Sequence, residues 1–141
     1  MTNESTIFMA EYEGHPLRFI RGPRFNGDLP WWVVDDVADC IAGLLGRDVS
    51  GLIGERILEA CPAEDQVIIA IVGPDAVETT ATAAAEVHLA GMIFGLMESD
   101  APELAAFGRW FRNAAPAARE AVGGTVANAL GARGISYEDE S

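Results

Sequence analysis

The stretch PWWVVDDVADCI, residues 30–41, constrains the fold more than any other part of the chain. Trp31, Trp32, Val33 and Val34 are aromatic or β-branched, side chains that suit a pleated, half-buried surface, so they predict a strand. Val37 and Ile41, continued by Leu44 and Leu45, recur at helical spacing and predict a helix. No turn residues separate the two patterns, so a strand must hand over directly to a helix. Asp35 fits the N-cap of that helix, where a carboxylate accepts an unpaired backbone N–H and meets the positive end of the helix dipole. Gly43 and Gly46 weaken the helix and mark its end.

The flanks supply further elements. Residues 7–12 and 16–20 are short apolar runs separated by Glu13, Gly14 and His15, which predicts a β-hairpin. Residues 22–30, GPRFNGDLP, carry loop chemistry. A second helix is expected over residues 50–60, with Leu52, Ile53, Ile57 and Leu58 on its buried face and Pro62 as its stop. QVIIAIV, residues 66–72, is apolar and of strand length; a GPDA turn and a β-prone VETTAT follow, so a second hairpin is expected. Residues 83–99 read either as one long helix by propensity or as a strand through about His88 followed by a helix from about Ala90. In the last helix Asp100 fits the cap and Pro102 the first turn. Leu104, Phe107, Trp110 or Phe111, and Ala114 form its apolar stripe, and Pro116 is expected to kink or end it. A short helical turn to Val122 then precedes Gly123 and Gly124. There is no internal repeat. Residues 1–123 read as one domain and residues 124–141 as a flexible acidic tail.

Charge narrows the function. The chain has 141 residues with 22 acids against nine bases, all arginine, for a net charge of −13. Such a balance opposes binding to phosphate backbones and favours attraction to basic surfaces. Cys40 and Cys61 lie far apart with no CxxC and read as small hydrophobes in a reducing cytosol. The N-terminus is polar and acidic, unlike a signal peptide. The most apolar stretch, residues 83–97, carries Glu86 and His88 and is too short to span a bilayer. A soluble, cytoplasmic protein is expected, with no membrane association.

Catalytic templates are absent: there is no GxGxxG, P-loop, HExxH or GxSxG. His88, in an apolar stretch, reads as a satisfied core histidine. Asp35, Asp36 and Asp39 form an acidic cluster, and Asp35 and Asp39 would share one helical face. Without a second ligand group at recognisable spacing, they read as a solvated helix start rather than a metal or acid–base site. No catalytic residue, cofactor or metal is expected, and the chain is read as a non-enzyme.

Two segments resemble a known family. EGHPLRFI (residues 13–20) followed by PWWVVDDVADCI resembles the opening of the BRO-N domain, the amino-terminal module of baculovirus BRO proteins and of phage and prophage antirepressors. Trp31, Trp32 and Val33 match the family's Trp-Phe-Val-like strand, and Asp36 and Val37 its Asp-Val. AGMIFGLMESDAPELAAFGRWF (residues 90–111) resembles the closing segment through Gly91, Ser99, Pro102, Glu103, Phe107, Arg109 and Trp110. Pro116 fits the proline that follows. The resemblance implies a compact, single α+β domain with two small β-hairpins or strands and three to four helices. It also favours the strand-then-helix reading of residues 83–99.

The family module is associated with nucleic acid and transcription control, but this chain departs from it in charge. Asp35 stands where the family commonly has a base, and Gly95, Glu98, Asp100 and Ala101 replace frequent basic positions. Residues 35–65 hold eight acids against Arg47 and Arg56. The expectation is an antirepressor-like regulator that binds a protein partner, a repressor or another basic nucleic-acid-binding protein. Its acidic face would be Asp35, Asp39, Asp48, Glu55 and Glu59. The alternative is a DNA-binding transcriptional regulator using Arg18, Arg21 and Arg24 on the first hairpin and Arg109 and Arg112, with Arg119, on the last helix. Those arginines otherwise pair with nearby carboxylates. A homo-oligomer is also open, which exposed Trp31 or Phe111 would mark.

Overall fold

The computed structural model describes residues 7–22, 30–72 and 75–122. Its strands are β1 (Ile7–Tyr12), β2 (His15–Arg21), β3 (Pro30–Val33), β4 (Gln66–Val72) and β5 (Glu78–Ala85). Its α-helices are α1 (Val34–Leu45), α2 (Ser50–Glu59), α3 (Ala90–Met97) and α4 (Pro102–Val122). The fold is α+β. Both expected hairpins form, β1 with β2 and β4 with β5. They are two arms of a single antiparallel sheet ordered β1-β2-β3-β5-β4, with β3 as the joint.

Alternation along β3 explains why both tryptophans are buried. Trp32 faces the helices and joins Phe19, Val37, Ile41, Leu89, Phe107 and Phe111 in the main core. Trp31 and Val33 face the other way and pack with Ile20, Ile69, Ile71, Ala83 and Ala85. Trp32 stacks obliquely between Phe19 and Phe111, with ring centroids 4.6 Å away on each side. Trp31 and Phe111 are therefore core residues, not exposed markers of an oligomer interface.

The strand ends one residue earlier than expected. α1 starts at Val34, its N-cap is Val33 with no side-chain cap, and Asp35 and Asp36 lie inside the first turn. Asp35 is thus not the cap; two acids in the first turn still suit the helix dipole. Gly46 ends α1 in the left-handed conformation, φ 68°, where a side chain would be strained. On α2, Ile57 is buried and Ile53 and Leu58 half-buried, but Leu52 is exposed, so the apolar face is narrower than its pattern.

Residues 83–99 take the mixed solution. β5 stops at Ala85, a 3-10 turn covers Glu86–Leu89, and α3 follows. α4 then runs unbroken through Pro116 to Val122. A proline inside a helix costs about 3 kcal/mol, and burial of Ala114, Ala115, Ala118, Ala121 and Val122 on the core offsets it. At the start of α4 the Ala101 N–H donates to Ser99 Oγ at 3.0 Å. Asp100, expected as the cap, is exposed. Gly108 lets α4 approach α3: a Cβ there would lie 2.9 Å from Met97 Cγ and 3.0 Å from its backbone nitrogen. No helix among the described residues is long and apolar enough to cross a membrane. The tail, residues 124–141, lies outside the described residues.

Candidate functional site

The surface of the α1–α2 hairpin collects the expected acids. Asp35 and Asp39 lie one turn apart on α1, Glu55 and Glu59 one turn apart on α2, and Asp48 in the connection; all five are exposed. Gly54 marks the seam between the helices, since a Cβ there would touch Val34 and Ala38 and lie 4.0 Å from Asp35 Oδ1. The Ser50 hydroxyl donates to Asp39 Oδ1, tying the start of α2 to α1. Arg47 and Arg56 are exposed on the same hairpin.

Asp36, next to Asp35 in sequence, belongs to the fold instead. The β2–β3 ladder begins at Phe19 and Trp32, so Arg18, paired with Met9 of β1 on one side, has no strand partner on the other. The Asp36 carboxylate takes that place. Its Oδ2 accepts the Arg18 backbone N–H at 2.9 Å and the Arg18 Nε–H at 2.7 Å, while Oδ1 accepts from Nη2 at 2.7 Å. These hydrogen bonds raise the Arg18 pKa above its ordinary value, although partial burial acts in the opposite direction.

The arginines therefore divide. Arg18 is engaged by Asp36. Arg119 donates from Nε to Glu86 Oε2 at 2.9 Å. Arg21, Arg109 and Arg112 are exposed. Arg24 lies outside the described residues. Arg18, expected as a phosphate contact, is thus held by the fold, while Arg21 ends β2 and Arg109 and Arg112 lie on α4.

Three features escaped the sequence reading. Glu86 is a buried carboxylate that joins three elements: besides Arg119 of α4, its Oε1 accepts the Trp32 Nε1–H of β3 at 3.0 Å. His88 is half-buried rather than in the core, with Nε2 2.7 Å from Asp65 Oδ2. Two open apolar clefts flank α3, about 420 Å³ beside α4 and about 500 Å³ beside α2. Only the composition of α3, apolar on every side, hinted at them, because such a helix is covered on more than one face.

Neither cysteine is activated. Burial, with a smaller push from the Glu13 charge, raises the Cys40 thiol to about 12, and burial raises Cys61 too. Both stay protonated at neutral pH and lack nucleophilic character. No group of three or more His, Cys, Asp or Glu side chains among the described residues is placed to hold a metal ion. No protein-family model, curated protein or solved structure matches the chain.

Proposed function

We propose that this chain is a non-enzymatic, antirepressor-like regulator that binds a basic, nucleic-acid-binding protein through the outer surface of the α1–α2 hairpin. One observation carries the reading: Asp35, Asp39, Asp48, Glu55 and Glu59 are all exposed on that hairpin. Like charges one turn apart, as at Glu55 and Glu59, weaken a helix by about 0.2–0.5 kcal/mol per pair. An arrangement that costs stability fits a surface kept for binding. The BRO-N resemblance supplies the regulatory class, and the charge reversal relative to that family turns the partner from DNA to a protein that binds DNA. Acidic side chains on such a surface would steer a basic partner and compete with phosphate for it.

The test is competition followed by fluorescence anisotropy. A labelled random-sequence duplex is bound to a lysine-rich DNA-binding protein at about 50 mM salt, where backbone attraction is strong. The chain is expected to release the duplex. A variant carrying Asp35→Asn, Asp39→Asn, Glu55→Gln and Glu59→Gln is expected to release far less. Equal release by both proteins would reject the acidic surface. Direct, steeply salt-dependent binding of the chain to the duplex would instead move the reading to DNA contact through Arg21, Arg109 and Arg112.

A further inference from the structure

The cleft between α3 and α4 differs in kind from the acidic hairpin. Its volume, about 420 Å³, falls within the range of small-molecule sites, roughly 300–1,000 Å³. Leu89, Ile93, Phe111 and Ala115 form buried walls. Val87 and Phe94 form the rim and are 61% and 56% exposed.

Three charged groups line this apolar space: Glu86, Arg112 and Arg119. Glu86 is 7% exposed, and both its oxygens are engaged, one by the Trp32 Nε1–H and one by Arg119 Nε. Its negative charge is thus balanced within the fold, and it anchors Arg119 in the cleft wall. The Arg119 side chain remains half exposed. Arg112 has no carboxylate partner among the described residues; its guanidinium carbon stands 6.0 Å from the centroid of the Phe94 ring. In a chain of net charge −13, this arginine rests on an aromatic rim rather than on an acid.

We propose that the α3–α4 cleft binds a small anionic amphiphile, a molecule with one carboxylate head and an apolar body. The body packs on Ile93, Phe94, Phe111 and Ala115. The head pairs with Arg112, with Arg119 beside it. Arginine suits a carboxylate because its planar donors meet both oxygens, and the Phe94 ring orients it in advance. The second cleft beside α3 also carries an arginine, Arg56, but it lies against the acidic α1–α2 hairpin, whose charge repels the same ligand, so the α3–α4 cleft is the preferred site. A free fatty acid offers this chemistry; an anionic phospholipid bilayer offers apolar tails behind phosphate heads instead. The proposal does not depend on the acidic hairpin, since it uses none of its residues.

Isothermal titration calorimetry with decanoate, below its micellar concentration and with the full chain, tests it. One site per chain is expected. Arg112→Glu should weaken binding more than tenfold, whereas Arg112→Lys should keep part of it. Ala90→Trp, which fills the cleft from its edge, should remove binding. Decyltrimethylammonium, with the same tail and the opposite charge, should not bind. Thermal unfolding followed by circular dichroism confirms that each variant is folded; Arg112 and Ala90 are exposed, so both changes are tolerable. Absence of decanoate binding to the unaltered chain, equal binding by Arg112→Glu, or equal binding of the cationic amphiphile would each overturn the proposal. Co-sedimentation with phosphatidylglycerol vesicles distinguishes the sources. Decanoate binding without co-sedimentation supports a free acid as the ligand, whereas co-sedimentation without decanoate binding would overturn the proposal.

Discussion

The two sides of α1 use the same residue types for opposite ends. Asp35 and Asp39 point outward, exposed, beside α2. Asp36 and Cys40 have the same four-residue spacing but point inward: Asp36 is 6% exposed and held by Arg18, and Cys40 is fully buried. A rotation of about 100° per residue separates a carboxylate that completes the sheet from one left to solvent. Net charge therefore says little about how many acids a partner can meet. Asp36 and Glu86 are buried in the fold, Asp65 pairs with His88 and Asp39 accepts from Ser50, so fewer acids stand unengaged at the surface than the net charge suggests.

Removing Asp36 should have the largest effect. Asp36→Ala leaves the Arg18 guanidinium and its backbone N–H without their acceptor, and breaking such a pair typically costs about 3–5 kcal/mol. Arg18 is partly exposed, so the lower end is expected in urea unfolding. A loss below about 1 kcal/mol would mean that the inward carboxylate is no more structural than the outward ones.

Glu86→Ala should rank next, at roughly 2–3 kcal/mol. The half-exposed Arg119 can return to water, but the Trp32 Nε1–H is left buried without an acceptor. Trp32→Phe in the same background should recover part of the loss, because it removes the stranded donor. No recovery would place the cost elsewhere.

Cys40 gives a pH-dependent form of the comparison. Its folded pKa is raised from 9.0 to about 12 by burial, so the fold favours the protonated thiol. The stabilisation is complete below pH 9. It declines as pH rises from 9 towards 12, because the unfolded thiol ionises first. The slope is at most about 1.4 kcal/mol per pH unit. Cys40→Ala should be less stable at neutral pH but should flatten this alkaline decline. Parallel stability–pH curves for the two proteins would show that the buried thiol is not its source.

The outward acids should give the smallest change. Asp35→Asn with Glu55→Gln should shift stability by about 0.5 kcal/mol or less, and towards higher stability as like-charge repulsion is relieved. Destabilisation by more than about 1 kcal/mol would show that these acids too are part of the architecture.

The local elements were readable because each rests on short-range chemistry. Alternating and β-branched runs marked both hairpins, helical spacing marked α1 and α4, and Gly46 marked an end. Where the reading missed, a distant contact had outweighed a local preference. Pro116 was expected to disturb the last helix, but the alanines around it are buried. Asp35 had a good cap residue's chemistry, yet the helix begins one residue before it. Leu52 matched the apolar stripe of α2 but lies at the open cleft beside α3, 54% exposed.

The sequence by itself determined most of the element order, a hairpin and strand, two helices, a second hairpin and a last helix, and that the chain is strongly acidic. Periodicity and composition are local quantities, and they survive any arrangement of the pieces. Only the tertiary structure decided that the two hairpins share one sheet through β3. The same is true of Asp36 finding Arg18 across 18 residues and Glu86 finding Arg119 across 33. Those pairings depend on which side chains meet when the apolar faces close together, and hydrophobic burial, being non-directional, leaves that choice to the whole fold.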